Sequence, residues 1–145
     1  MKKTIFLFFA LIGLINSCGK NQGETTIHED KAHADGVEIL YFHGDMRCKN
    51  CVAMEKGITQ LLENELSEQV KDGKVSFKII DITTPEGEEI ADNYGVTWSS
   101  LFVNNWIDGE EERKDMTRFG MQNAAKNPDE FKQEIKALIE EYLSN

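Results

Sequence analysis

The stretch that decides the fold is Val-Glu-Ile-Leu-Tyr-Phe-His-Gly-Asp-Met-Arg-Cys-Lys-Asn-Cys, residues 37–51. Its first six residues are mostly apolar or aromatic, which predicts a buried β-strand that ends at Gly44 and Asp45. From Cys51 onward apolar residues recur at helical spacing, which predicts a helix whose first turn carries the C-x-x-C segment. Two cysteines therefore lie where a strand leads into a helix.

These two cysteines suit thiol chemistry. Cys48 and Cys51 are three positions apart, so they lie on one face of a helix start and can close a small disulfide. At the helix N-terminus Cys48 is surrounded by unpaired backbone N–H groups, which favour the thiolate over the thiol, and Arg47 and Lys49 add positive charge. We predict Cys48 as the nucleophile and Cys51 as the resolving thiol of a thiol–disulfide oxidoreductase that needs no cofactor and no metal.

Other roles for the pair stay open on the sequence. The cysteines could form a purely structural disulfide, although a loop this small restricts the unfolded chain little. The domain could also be a non-catalytic binding module. A third alternative is a Cu(I) protein, because soft ligands cluster here. That ligand set would comprise His43, Met46, Cys48, Cys51 and Met54.

The rest of the chain predicts alternating elements. They are a helix to about residue 71, a strand over 75–82, a helix over 84–94, a strand over 101–107, a polar strand over 110–118 and a helix from 128. Asp108-Gly109 predicts a tight hairpin, and the charges that follow it predict a strand at the sheet edge. Asn127 and Glu130 have the spacing of a capping box at the start of the last helix.

This order predicts an α/β domain over residues 36–145. Right-handed crossovers make the first strands parallel, and the hairpin adds antiparallel strands. The expected architecture is a central mixed sheet of about four strands flanked by three helices on both faces.

Several landmarks together resemble the thioredoxin superfamily over nearly all of residues 37–145. The landmarks, in chain order, are the strand before Cys48-x-x-Cys51, Tyr94-Gly95-Val96, the hairpin at Asp108-Gly109, and Phe119-Gly120 before a terminal helix. The resemblance implies a thioredoxin-like fold and exchange with protein thiols or disulfides. More narrowly, Phe42-His43-Gly44 before the cysteines is similar to a thioredoxin-like group named as a nitrophenyl compound nitroreductase subunit, but no residue here indicates a flavin or a nitroaromatic pocket.

The sequence departs from the family pattern in three places. The family usually has a cis-proline facing the cysteines, whereas residues 97–100 contain no proline and Ser99 is its expected counterpart. Lys-Asn replaces the usual Gly-Pro between the cysteines. Tyr41 stands near the place of the family's buried acid, and Glu38 is the nearest upstream carboxylate, so no general base is assigned.

The resemblance also implies a substrate groove beside the cysteines. We expect Trp98, Ser99 and Gly120 to line it, with Trp98 and Ser99 in the loop that faces the dithiol. Gly120 resembles the family glycine that lets the backbone approach the site closely, although it could instead be a turn after the last strand. Trp106, at the hairpin end, is predicted to pack against the domain.

The N-terminus predicts export and a lipid anchor. Two lysines precede an apolar run over 5–15 that is too short to span a bilayer, which is the layout of a secretory signal. The residues up to Cys18 resemble the lipobox of bacterial lipoproteins, which implies a signal peptide over 1–17, a lipidated Cys18 and a flexible tether through residue 35. The domain would face the periplasm, and Gly19 favours the outer over the inner membrane.

Length and charge limit the partners. The chain has 145 residues, which fits one domain, and its 26 acidic against 16 basic side chains give a net charge of −10. Because phosphate binding needs a basic face, we expect no nucleic-acid partner. We expect a monomer that meets the membrane only through its N-terminal lipid.

Overall fold

The computed structural model describes residues 35–144. The elements, in chain order, are β1 (Gly36–His43), α1 (Lys49–Asn64), α2 (Ser67–Lys71), β2 (Val75–Asp81), α3 (Pro85–Tyr94), β3 (Ser100–Ile107), β4 (Glu110–Asp115), α4 (Thr117–Asn123) and α5 (Pro128–Leu143). The three predicted helices are present as α1, α3 and α5, and α2 and α4 are short additions.

The four strands form one mixed sheet in the order β2-β1-β3-β4. β1 pairs with β2 in parallel and with β3 antiparallel, and β3 pairs antiparallel with β4. The central position of β1 explains its continuous apolar run, since both of its faces are covered, whereas the charged β4 lies at the predicted edge. The predicted fold class is confirmed.

Helices cover both faces of the sheet and give two hydrophobic cores. The larger core lies between the sheet and helices α1 and α5, and includes Tyr41, Met54 and Phe131. The smaller core lies on the α3 side, where Phe42 packs against Ala91 and Phe102. Because neighbouring strand residues point to opposite faces, Tyr41 and Phe42 anchor different cores and fix β1 between them.

The first helix is shorter than predicted. α1 ends at Asn64, and Leu66 breaks the helical path before α2 begins. The Leu66 N–H donates to the Leu61 carbonyl at 3.3 Å, five residues back, and the Leu66 side chain is fully buried. The chain therefore turns at the last residue of the apolar stripe, and α2, which buries nothing, forms a separate turn.

The predicted polar strand over 110–118 is also too long. β4 ends at Asp115, whose carboxylate accepts the Thr117 N–H at 2.8 Å as α4 begins. Thr117 is buried, and its hydroxyl accepts the Leu101 N–H at 3.0 Å, so a side chain takes the place of a strand partner for β3. Pairing stops here because a helix replaces the strand.

Turn chemistry follows the sequence at most junctions. The Thr84 hydroxyl caps α3 by accepting the Gly87 N–H at 3.1 Å, and Asp108 and Gly109 adopt the positive φ angles of 54° and 80° that the hairpin requires. The predicted capping box at α5 is wrong, because Asn127 makes no side-chain cap. Its amide instead donates to Asn123 Oδ1 at 3.2 Å, which ties the start of α5 to the end of α4.

The N-terminal predictions fall outside this structure. The signal peptide, Cys18 and the tether through residue 34 precede the described residues. Within residues 35–144 no helix has the length and apolar character needed to cross a bilayer.

Candidate functional site

The candidate site lies where β1 ends and α1 begins, as the sequence predicts. Cys48 is the N-cap residue of α1, with an extended backbone at φ −74° and ψ 166°. Its Sγ accepts the Cys51 N–H at 3.0 Å. The cysteine sulfur therefore does the work that a serine or aspartate oxygen does at other helix starts, and it lies at the positive end of a 16-residue helix.

Cys48 and Cys51 are joined in a disulfide, with 5.0 Å between their Cα atoms. The two differ sharply in access. Cys48 is exposed to solvent, whereas Cys51 is 4% exposed and belongs to the core side of α1. An incoming thiolate can therefore reach the sulfur of Cys48 while that of Cys51 is shielded.

A cavity of about 560 Å³ opens beside the disulfide. Its walls come from the loop after β1, from the bend before β3 and from α4. The lining residues are Gly44, Asp45, Met46, Cys48, Cys51, Ile82, Thr97, Trp98, Ser99 and Met121. Trp98 and Ser99 thus lie beside both cysteines, where the sequence analysis expects them.

Trp98 and Ser99 differ in exposure. Trp98 is 60% exposed, an unusual state for so large an apolar side chain, and Ser99 is buried. Among residues 35–144 every peptide bond is trans, including the bond before Ser99. Their roles in binding substrate stay a prediction.

Gly120 is not a lining residue of this cavity. It lies inside α4 and is buried, and a Cβ atom placed there would collide with the Met54 sulfur and approach the Phe131 ring at 3.5 Å. The glycine lets α4 pack directly on α1 and α5. The structure therefore gives Gly120 a packing role, and its neighbour Met121 lines the cavity. A role for Gly120 in a substrate groove stays a prediction.

A second cavity of about 430 Å³ adjoins the first. The two share Trp98 and Met121, so the exposed indole stands at their boundary. Phe102 and Val96 give the second cavity an apolar floor, and Arg118 lies among its polar residues. The second cavity therefore neighbours the one beside the disulfide.

Three side chains below the disulfide form a cluster that the sequence analysis misses in part. Tyr41 is fully buried and its hydroxyl donates to the Cys51 carbonyl at 2.8 Å. The Arg47 guanidinium carbon lies 5.7 Å from the centre of the Tyr41 ring, and Arg47 forms an ion pair with Glu55. Hydrogen bonding to Tyr41, and then to Glu55, raises the pKa of the Arg47 guanidinium above its ordinary value, so its charge is permanent.

Glu38 does not take part in the site. It lies near the start of β1, pairs with Lys78, and accepts the Trp106 indole N–H at 3.4 Å. Trp106 is therefore a structural residue, as predicted. Since Glu38 is at the far end of its strand from Cys48, the nearest upstream carboxylate is no base for the dithiol.

The alternative copper ligands are brought together only in part, because Met46 lines the cavity beside Cys48 and Cys51 whereas Met54 does not. Met54 is fully buried in the larger core, whereas Met46 is 93% exposed. Within residues 35–144 no group of three His, Cys, Asp or Glu side chains is placed to hold a metal ion.

Comparison with known proteins identifies solved structures that are similar in fold. No protein-family model matches the sequence, and neither does any curated protein. Among solved structures, the chain is similar to a thioredoxin from Thermus thermophilus, at 21% identity over 68% of this chain and 72% of that one, with a TM-score of 0.42. It is also similar to Trxlp from Edwardsiella tarda EIB202, at 15% identity over 69% and 85% of the two chains with a TM-score of 0.46.

A third similar structure is described as a malarial protein, at 14% identity over 69% of this chain and 97% of that one, with a TM-score of 0.42. These scores are too low to support an argument about function. The fold assignment rests on the sheet order β2-β1-β3-β4, the parallel β1–β2 pair and the cysteine pair at the start of α1. By these features the chain has a thioredoxin-like fold.

Proposed function

We propose that this chain is a thiol–disulfide oxidoreductase that uses Cys48 as the attacking and attacked sulfur and Cys51 as the resolving one. The observation that carries the proposal is the asymmetry of the pair, since an exposed Cys48 caps a helix and is bonded to a buried Cys51. A structural disulfide has no need of one sulfur open to attack.

The exchange balances in two steps. A substrate thiolate attacks Cys48 Sγ, the bond between Cys48 and Cys51 breaks, and Cys51 leaves with the electron pair and takes a proton. A second thiolate of the substrate then attacks the substrate sulfur that is bonded to Cys48, and Cys48 leaves as a thiolate. The substrate loses two electrons to the domain, and the same steps in reverse reduce a protein disulfide.

Backbone geometry supports the identity of the leaving group in the second step. The Cys51 N–H that points at Cys48 Sγ is already placed to stabilise negative charge on that sulfur. A thiolate that is stabilised in this way is a better leaving group. The two neighbouring cavities offer room for a protein substrate next to its cysteine, and Trp98 lines both of them.

A trapping experiment tests the exchange. In the full chain, Cys51→Ala should accumulate a mixed disulfide with a protein disulfide substrate such as insulin, and Cys48→Ala should not, because its remaining sulfur is buried. Peptide mass spectrometry separates adducts on Cys48 from those on Cys18. Equal adducts in the two variants, or none in either, would overturn the proposal.

The proposal includes a location. The lipobox resemblance at Cys18 supports an acyl anchor that holds the domain on the periplasmic side of a bacterial membrane, where protein disulfides occur. In a bacterial host the full chain should incorporate an alkyne fatty acid and sediment with membranes, and Cys18→Ala should do neither. Labelling of the Cys18→Ala variant would contradict the anchor.

A further inference from the structure

The two cations that flank Cys48 are held in different ways. Arg47 pairs with Glu55 on α1 and lies over the Tyr41 ring, so both β1 and α1 restrain it. Lys49 is the first residue of α1, is exposed, and forms no ion pair with any residue in the 35–144 range. One cation is therefore fixed against the protein and the other is free in solvent.

Tyr41 links this restraint to the disulfide. Its hydroxyl donates to the Cys51 carbonyl at 2.8 Å, and the Arg47 guanidinium carbon lies 5.7 Å from the centre of its ring. The contact lies under the turn that both cysteines share, in the fully buried part of β1. Removing the Tyr41 hydroxyl would therefore affect the two sulfurs in two ways. It would alter the helix turn that carries the cysteines, and it would alter the position of Arg47.

We propose that Tyr41 is a positioning residue that, with Glu55, holds the charge of Arg47 beside Cys48 and so stabilises the Cys48 thiolate when the disulfide opens. The inference rests on the proposed function, because a structural disulfide has no thiolate to stabilise. It also gives a physical role to a tyrosine at a place where the sequence offers no carboxylate. An ordered cation acts more strongly than a solvated one, since it loses less to screening and to side-chain motion.

The other charged groups near this end of the sheet are few. Asp45 and His43 precede the helix, Asp81 ends β2, and Arg118 lies on α4. The bend over residues 97–99 contributes none. The negative charges of Asp45 and Glu55 oppose the effect of the cations, so Arg47 is expected to lower the pKa of the Cys48 thiol by a moderate amount.

The experiment compares Arg47→Met with Lys49→Met in the reduced full chain. Iodoacetamide labelling of Cys48 is followed against pH by peptide mass spectrometry, and the midpoint gives the pKa of that thiol. Arg47→Met should raise the midpoint by about one unit, and Lys49→Met by roughly a third of a unit or less. Both substitutions are at exposed positions next to Cys48, so they form a matched pair.

Tyr41→Phe tests positioning because it keeps the ring and every formal charge. It should raise the Cys48 midpoint by about half a unit when Arg47 is present and by much less in the Arg47→Met background. Equal shifts in the Arg47 and Lys49 variants, or the same Tyr41→Phe shift in both backgrounds, would overturn the inference. Such a result leaves the proposed function intact if Cys51→Ala still traps substrate. The proposed function is contradicted separately, if Cys51→Ala forms no adduct.

Discussion

At the scale of single residues, the proposed function depends on the unequal surroundings of two chemically identical side chains. Cys48 caps a helix and faces solvent, and Cys51, one turn later, is on the buried side of the same helix. This difference follows from helix geometry, since the face of α1 that carries Cys51 also carries the core residue Met54. The position of each cysteine within one helical turn therefore determines its proposed role.

Trp98 is expected to bind protein substrates. It is 60% exposed at the boundary of two cavities, and an exposed indole typically supplies binding energy when a partner covers it. Trp98→Ala should raise KM for insulin reduction by about tenfold, a loss of about 1.4 kcal/mol. Turnover should be measured with insulin and with a small disulfide such as oxidised glutathione.

The small disulfide provides the control for Trp98. Glutathione needs little surface beyond the sulfur itself, so its rate constant should change by less than about twofold. Equal losses for both substrates would show that Trp98 supports the local structure of the disulfide and not the binding of a protein.

Some of the site could be predicted from single residues and some could not. The positions of Cys48 and Cys51 at the start of α1, and the place of Tyr41, follow from spacing after one strand. The pairing of Arg47 with Glu55 does not, because it depends on how the loop after β1 folds back over α1. Met121 is missed for a similar reason. It lines the cavity because it lies on α4, and the sequence pattern predicts the end of a strand where α4 begins.

At the scale of elements, α4 is where the structure differs most from the prediction. The polar run after the hairpin predicts a continuing strand, but Asp115 and Thr117 form a helix start through side-chain hydrogen bonds to backbone N–H groups. Such side-chain bonds leave no hydrophobic period in the sequence, so periodicity cannot reveal them. By contrast β1, α3 and α5 follow strong patterns with proline or glycine at their ends, and their bounds are close to the predicted ones.

The packing role of Gly120 gives a test of α4. A methyl group there would meet the Met54 sulfur and the Phe131 ring, both fully buried, so Gly120→Ala should lower the free energy of unfolding by about 1–3 kcal/mol. Urea denaturation measures the loss, with Gln122→Ala, on the exposed side of the same helix, as the control. An unchanged midpoint for Gly120→Ala would contradict close packing of α4 on α1.

At the scale of the whole molecule, two cores on opposite sides of one sheet hold the disulfide at the end of the central strand. The smaller core is edged by a polar network in which Tyr94 donates to Glu111 and accepts from Asn104 at 2.7 Å. Arg113 lies over the Tyr94 ring, with 3.9 Å between the guanidinium carbon and the ring centre. This network joins α3 to the edge strand β4, which lacks apolar residues to do so.

The network predicts how stability depends on pH. Burial, and then the bond to Glu111, raise the pKa of Tyr94 above its ordinary value, so the folded state keeps a proton that the unfolded state loses above about pH 10. The stabilising effect is complete below that pH, and it declines as the pH rises further, by less than about 1.4 kcal/mol per pH unit because Tyr94 is only half-buried. Urea denaturation at pH 9, 10 and 11 should therefore show a steeper loss for the natural chain than for Tyr94→Phe.

Tyr142 serves as the comparison for this pH test. Burial also raises its pKa, but the shift is smaller, so Tyr142→Phe should change the alkaline slope less than Tyr94→Phe does. Tyr94→Phe will lower stability at every pH because it removes hydrogen bonds, and only the slope bears on the claim. Identical slopes for Tyr94→Phe and the natural chain would contradict it.

The central claim, that Cys48 and Cys51 are a redox pair and not a structural bridge, is tested most directly by their equilibrium with thiol–disulfide buffers. The full chain is equilibrated at graded potentials and alkylated, and the two cysteines are read by peptide mass spectrometry. We predict a reversible two-electron transition with a midpoint above about −300 mV, because an exposed N-cap sulfur favours the reduced, thiolate-bearing state. A pair that stays fully oxidised at about −300 mV, as structural disulfides do, would contradict the account.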